Sequence, residues 1–286
     1  VAGTLLRVAL PSIPVVNQLP GIRKTGGDLS SLHEVRTATV SREHVDAYAA
    51  VCGFPVKDTA PLTFPHVLAF PLHLAVLASP QFPFPAMGTI HVANRITAHR
   101  PVEVGETLQL EVHAGPLVAH PKGAAVDFLA TATVDQETVW ESASTYLRRG
   151  AVVSTGSTGG TTDETTMHVV PGRITWRLPG DLGRRYAAVS GDRNPIHLYP
   201  LTAKALGFPR QIAHGMWSLA RCVAALENRL PGAVTVEASF RKPILLPGTV
   251  AFGQDAVHDA PGDVLAFALT SPKTGAPHLV GRAHRP

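Results

Sequence analysis

Two cysteines in 286 residues leave no material for a disulfide framework. Cys52 and Cys222 both sit in apolar stretches, so buried, reduced thiols are expected, and a reducing, cytoplasmic compartment fits that usage. The chain also lacks an apolar run of the roughly 18 residues that a membrane span requires. Its best stretch, Val67 to Leu77, is broken by Pro71 and His73. Val1 to Pro20 has no apolar core followed by a small-residue cleavage pattern and does not read as a secretory signal. Charge is scarce: 16% of residues are charged, the formal net charge is +4, and the 25 basic residues are scattered, which makes nucleic acid a poor partner. Fourteen histidines show neither His-Glu-x-x-His nor a His/Cys/acid spacing, so no metal site is expected. A Rossmann glycine fingerprint is missing too, which removes support for nicotinamide or flavin.

What remains is a globular chain, 45% hydrophobic, able to bury one large core or two smaller ones. Residues 154–166, STGSTGGTTDETT, form a polar connection without the Lys and Ser/Thr of a phosphate loop. They divide the chain into an amino-terminal half (1–153) and a carboxy-terminal half (167–286).

The halves repeat one order of events. Leu32 to Val40 leads through Ser41-Arg42-Glu43-His44 to Tyr48-Ala49-Ala50-Val51-Cys52-Gly53-Phe54, and His168 to Leu178 leads through Pro179-Gly180-Asp181 to Tyr186-Ala187-Ala188-Val189-Ser190-Gly191-Asp192. Ala69 to Ala78 parallels Ala213 to Cys222 as an apolar helix, and Arg100-Pro101-Val102 parallels Lys242-Pro243-Ile244. Strands are expected at Thr89 to Ala98, Thr107 to Gly115, Ala124 to Asp135 and Thr138 to Arg148, then at Ala233 to Phe240, Thr249 to His258, Val264 to Ser271 and Pro277 to Ala283. An apolar helix with few charges needs cover on most sides. A sheet wrapped around it provides that cover, and two such units joined edge to edge reduce four exposed edges to two. The expectation is a pseudo-twofold α+β protein.

The polar residues that resemble chemistry are concentrated in Ser190-Gly191-Asp192-Arg193-Asn194-Pro195-Ile196-His197, followed by Ile212-Ala213-His214-Gly215-Met216. Asp192 and His197 are five apart and off the i,i+4 face of a helix, so a turn at Gly191 and Asn194-Pro195 has to bring them together. An aspartate after a helix is ordinarily a cap, and a lone histidine is ordinarily structural. Their combination with a glycine at a helix start instead suggests a water held beside a polarised carbonyl. Ser190 lacks the G-x-S-x-G elbow of a serine nucleophile.

The run from Tyr186 to His197, with Ala203, Gly207-Phe208, His214-Gly215-Met216 and Phe240-Arg241-Lys242-Pro243, resembles the signature of the MaoC-like dehydratases and type 2, R-specific, enoyl-CoA hydratases, in the double-hot-dog form of actinobacterial members. The resemblance implies two fused hot-dog domains, each a curved antiparallel sheet around an apolar helix. It also implies reversible hydration of a trans-2-enoyl thioester of coenzyme A or an acyl-carrier protein to the R-3-hydroxyacyl product, without a cofactor beyond the coenzyme A of the substrate. Thioester hydrolysis and non-catalytic acyl binding are the alternatives that such a scaffold leaves open.

Within this reading His197 is the base toward water, Asp192 its partner in proton transfer, Asn194 the residue that holds the loop, and the Gly215 N–H the donor to the enolate oxygen. Ser190, Gly191, His214 and Met216 are expected along the substrate. Arg193, Lys204, Arg241 and Lys242, with Arg184 and Arg185, are candidates for a rim that attracts coenzyme A phosphates. In the first half Phe54 stands where Asp192 would be and Thr59 where His197 would be, if loop lengths match. The resemblance makes that half an acyl-chain pocket, with Phe64, Phe70, Phe82 and Phe84 available to line it. Further self-association, such as a homodimer of the fused unit, is left open.

Overall fold

The computed structural model describes residues 24, 28–86, 88–151, 167–257 and 264–286. The polar connection at 154–166 lies outside the described residues, as do Val1 to Pro20, Met87 and His258.

Alternating apolar and polar residues in the first half become β1 (His33–Thr39), β2 (Thr89–Ala98), β3 (Thr107–His120), β4 (Gly123–Val134) and β5 (Glu137–Arg149). The second half supplies β6 (Ile174–Leu178), β7 (Val234–Phe240), β8 (Gly248–Val257), β9 (Val264–Thr270) and β10 (Pro277–His284). All ten lie in one sheet, ordered β1-β3-β4-β5-β2-β7-β10-β9-β8-β6. Read inward from either edge, the order is the same five-strand unit, so the two half-sheets meet back to back at β2 and β7. That junction is antiparallel, from Ala93 opposite Ser239 to Ala98 opposite Val234, and the Thr97 and Thr235 hydroxyls meet across it at 2.9 Å. This is the expected α+β double hot-dog arrangement, with its sheets fused into one.

Each half sets an apolar helix on the sheet. In the first, α2 (Phe64–Ala78) packs on β1, β3 and β4; in the second, α6 (Gly215–Leu226) packs on β9. Two shorter helices, α1 (Arg42–Cys52) and α3 (Leu182–Ser190), pack on each other, with Tyr48 and Tyr186 ring centroids 6.2 Å apart. Ser41 caps α1 by accepting from the His44 N–H, and His44 Nε2 donates to the Val189 carbonyl of α3. Both helices end on a left-handed glycine, Gly53 (φ 81°) and Gly191 (φ 75°), a conformation that favours residues without a Cβ. One apolar cluster runs through both halves, and Cys52 and Cys222 are free and buried in it. Among the described residues, no helix is long and apolar enough to cross a membrane.

Three expectations need correction. Of His168 to Leu178 only Ile174–Leu178 is strand, because Pro171 has no N–H for the ladder while Met167 and Val170 pack against Ala266, Ala268 and Val280. The apolar helix expected from Ala213 to Cys222 begins at Gly215 and runs on to Leu226, where it tightens into a 3-10 turn over Glu227–Arg229. The register of the repeat also differs. The Ala60 N–H donates to the Val102 carbonyl as the Ala213 N–H does to that of Ile244, and Thr59 bridges Glu103 as Ile212 bridges Leu245. Ala60, not Ala69, therefore answers Ala213, and Thr59 answers Ile212 rather than His197.

Candidate active site

The asymmetry of the two halves begins after the glycine caps. In the first half the chain passes directly from Gly53 to Ala60, whereas between Gly191 and Ala213 it makes two extra helices, α4 (Pro195–Leu198) and α5 (Pro200–Ala205). The acid/base run is thus carried on an insert that the first half lacks. Phe54 follows Gly53 as Asp192 follows Gly191, but it is buried against Tyr48. Pro61-Leu62 occupies the place of His214-Gly215, beside a cleft of about 170 Å³ whose titratable lining residues are Lys57, Arg100 and Glu227. Neither an imidazole nor an aspartate lines it.

In the second half the turn closes through its own side chains. The Ser190 hydroxyl accepts from the Asp192 N–H (3.2 Å), the Asp192 carboxylate accepts from the Asn194 N–H (3.1 Å), and Asn194 Oδ1 accepts from the Ile196 N–H (3.4 Å). Pro195 occupies the first position of α4 and holds Asn194 extended (φ −56°, ψ 125°). His197 is thereby turned back toward the chain, where its Nδ1–H donates to the Ile212 carbonyl at 2.8 Å. A carbonyl only accepts, so Nδ1 carries the proton and Nε2 keeps its lone pair. Burial pushes the His197 pKa below the ordinary histidine value, with the Asp192 charge and the Ile212 hydrogen bond opposing it.

His214 stacks on His197 with centroids 3.7 Å apart and tilts against Tyr186 at 4.8 Å. Its Nε2–H donates to the Asp192 backbone carbonyl (3.0 Å) and lies 3.8 Å from the Asp192 carboxylate. Burial, then the neighbouring His197, hold its pKa well below the usual range. His214 thus binds Asp192 across the turn.

Gly215 opens α6. The helix has no side-chain cap and the Ser218 N–H closes its first turn on His214, so the Gly215 amide stands ahead of the first intrahelical bond. A Cβ at Gly215 would meet the Phe240 ring at 3.2 Å. The glycine therefore admits Phe240.

Ligand atoms of Asp192, His197 and His214 all lie within 4.8 Å of one another. With His197 Nδ1 and His214 Nε2 committed to carbonyls, the lone pairs left are those of His197 Nε2, of His214 Nδ1, which is buried without a hydrogen-bond partner, and of the Asp192 carboxylate, whose side chain is 27% exposed. Of these, an imidazole and a carboxylate can polarise a water between them.

Residues 159–263 match the family described as MaoC like domain. A 3-hydroxyacyl-thioester dehydratase X of Mycobacterium tuberculosis is 35% identical over 272 residues, covering 95% of this chain and 92% of that protein. The chain belongs to the MaoC-like dehydratase family. A crystal structure of HtdX from Mycobacterium tuberculosis superposes with a TM-score of 0.74 at 34% identity, over 88% of this chain and 100% of that one. A MaoC-like dehydratase from Phytophthora capsici shares the fold, with a TM-score of 0.77 at 20% identity over 90% and 96% of the two chains.

The other expected positions divide in this MaoC-like chain. Ser190, Gly191 and Asn194 build the turn, whereas Met216 is buried in the core. Arg193, Lys204, Arg241, Lys242 and Arg185 are exposed. Arg184 is not a free rim cation, because its guanidinium donates to the Leu198 carbonyl and lies over the Tyr199 ring, bracing α4. Two residues escaped the sequence. A Cβ on Gly183 would fall 1.9 Å from the His197 carbonyl oxygen, so Gly183 lets α4 lie against α3. Phe240 covers Gly215. Only the glycine at the first turn of an otherwise strong helix hinted at the former.

Proposed function

We propose that the protein adds water reversibly to a trans-2-enoyl thioester of coenzyme A or an acyl-carrier protein, giving the R-3-hydroxyacyl thioester. The observation that carries this is the grouping of a neutral imidazole whose Nε2 lone pair is uncommitted, a carboxylate oxygen within 4.8 Å of a ring nitrogen of that histidine, and an uncapped helix start at Gly215, next to His214. In the hydration direction His197 Nε2 takes a proton from water as the water oxygen bonds to C3. The C2–C3 π pair shifts toward C1, and the carbonyl oxygen becomes an enolate oxygen that accepts from the Gly215 N–H. As the enolate collapses, C2 takes a proton from the Asp192/His197 pair, so that one H and one OH are added and the pair is restored. The relatives' names, a 3-hydroxyacyl-thioester dehydratase X among them, support the same substrate class. On this reading the first half is a wall of the acyl site, the exposed basic residues receive the coenzyme A phosphates, and the buried free thiols fit a cytoplasmic enzyme.

The test is incubation with crotonyl-, octenoyl- and dodecenoyl-CoA, following loss of enoyl absorbance, product chirality and free thiol. An R-3-hydroxyacyl-CoA with its thioester intact is expected. Free thiol without hydroxyacyl product would instead identify a thioesterase, and an S product would reject the proposed geometry.

A further inference from the structure

Among the described residues, three buried ring nitrogens without a hydrogen-bond partner gather in the first half, where the Asp192 charge reaches two of the three rings. His66 and His73 sit seven residues apart on one face of α2, and His91 stands on β2 opposite Tyr146 of β5. Their rings form a continuous group: His66 to His73 at 5.1 Å, His66 to His91 at 6.2 Å, and His91 to Tyr146 at 4.8 Å. His66 Nδ1, His73 Nε2 and His91 Nε2 are buried and have no hydrogen-bond partner, while His73 Nδ1 reaches only the Tyr146 hydroxyl, at a weak 3.4 Å. One end of the group touches the chemistry. His91 meets Phe240 edge to face at 5.0 Å, Phe240 covers Gly215, and the Asp192 charge is felt at His66, His91 and Tyr146. The other end passes from His73 to Phe128 (5.5 Å) and on to Phe82 (5.7 Å), which is plain apolar core.

An acyl chain whose thioester carbonyl rests at Gly215 and whose C3 lies at Asp192 and His197 would run past this group. A hydrocarbon there would leave three buried nitrogens unpaired, each at its full desolvation penalty. An oxygen on the chain would pair at least one of them: a hydroxyl can donate to a ring nitrogen that carries the lone pair or accept from one that carries the proton, and a keto oxygen can accept from the latter.

We propose that His66, His73 and His91 select acyl chains carrying an uncharged oxygen substituent, a hydroxyl or keto group, on carbons beyond the reacting C2–C3 bond; this rests on the hydration reading above. Charge excludes the acidic alternatives. Burial brings His66 down to about 4 and His91 to about 3, so both are neutral at pH 7, and a carboxylate on the chain would meet no cation in the group and would face Asp192.

The experiment compares kcat/KM of the full chain for trans-2-decenoyl-CoA and for analogues bearing one hydroxyl or keto group at each carbon from C4 onward. At one or more positions the oxygenated substrate should be favoured by about tenfold, the scale of one buried hydrogen bond plus the relief of an unpaired group. His66→Leu and His91→Phe should bring that ratio close to one, mainly by improving the unsubstituted chain, while His91→Asn, which keeps a donor and an acceptor, should retain a preference. A wild-type ratio near one at every position, with crotonyl-CoA still hydrated, overturns the selection and leaves the reaction standing. Failure to hydrate any of these thioesters overturns both. If the leucine and phenylalanine variants do not fold, the wild-type series and His91→Asn still decide.

Discussion

Asp192 accepts from the Asn194 N–H and, in the proposed reaction, also faces the water, so its replacement has to be chosen to separate the two tasks. Asn at position 192 keeps an oxygen for that hydrogen bond but loses the charge. Asp192→Asn and His197→Ala are each expected to lower kcat by about 100-fold or more while the folded chain still binds acyl-CoA. Near-normal turnover by either would remove that residue from the reacting pair. The acid limb of kcat/KM belongs to the same imidazole. Because burial lowers the His197 pKa, the base form persists as pH falls, and the limb should lie below the ordinary 6.5 of histidine. A limb at or above 6.5 would assign the step to another group. Stability should move with the same sign. His66 and His91 titrate lower folded than unfolded, so between about 6.5 and their folded values of about 4 and 3 the unfolded chain binds more protons. Each group should then remove up to about 1.4 kcal/mol of stability per pH unit of acidification, and denaturant melts from pH 7 to pH 4 would show it.

At the scale of elements, α4 is held by contact rather than by length. Its four residues are too few to be stable alone and rest on Arg184, the Ile196–Ile212 backbone bond and the close approach at Gly183. Gly183→Ala drives a methyl into the His197 carbonyl, so a loss of about 1–3 kcal/mol in stability and at least a tenfold fall in kcat are expected. An unchanged kcat would mean that α4 can shift without moving the imidazole. Periodicity made β2 legible to the residue, Thr89 to Ala98, since alternation is a local property. Thr59 was misplaced opposite His197 because insert length is invisible to pattern matching; only the Thr59–Glu103 and Ile212–Leu245 bridges set the register. Asp192, His197 and Gly215 could be read as candidates because turn and helix-start residues surround them in sequence. The histidine group could not: His66, His73 and His91 come from a helix and a strand, and each alone looks like a satisfied core residue.

At the scale of the molecule, the β2–β7 junction lies in the middle of the ladder with four strands to either side. Amides of 93–98 and 234–239 should therefore exchange only through global opening, the slowest in the chain. Faster exchange there than in β4 would mean that the halves separate before they unfold. The Lys57–Glu227 pair bridges the halves at the surface, and Lys57→Ala should cost less than about 1 kcal/mol by thermal melt. The junction also decides what a substitution can do. In a dimer of identical subunits every change appears twice, and a pocket cannot gain an imidazole on one side without gaining it on the other. Joining the subunits into one chain ends that duplication. One unit keeps an aspartate after its glycine cap where the other keeps a phenylalanine, and each is free to diverge while the shared ladder maintains their alignment.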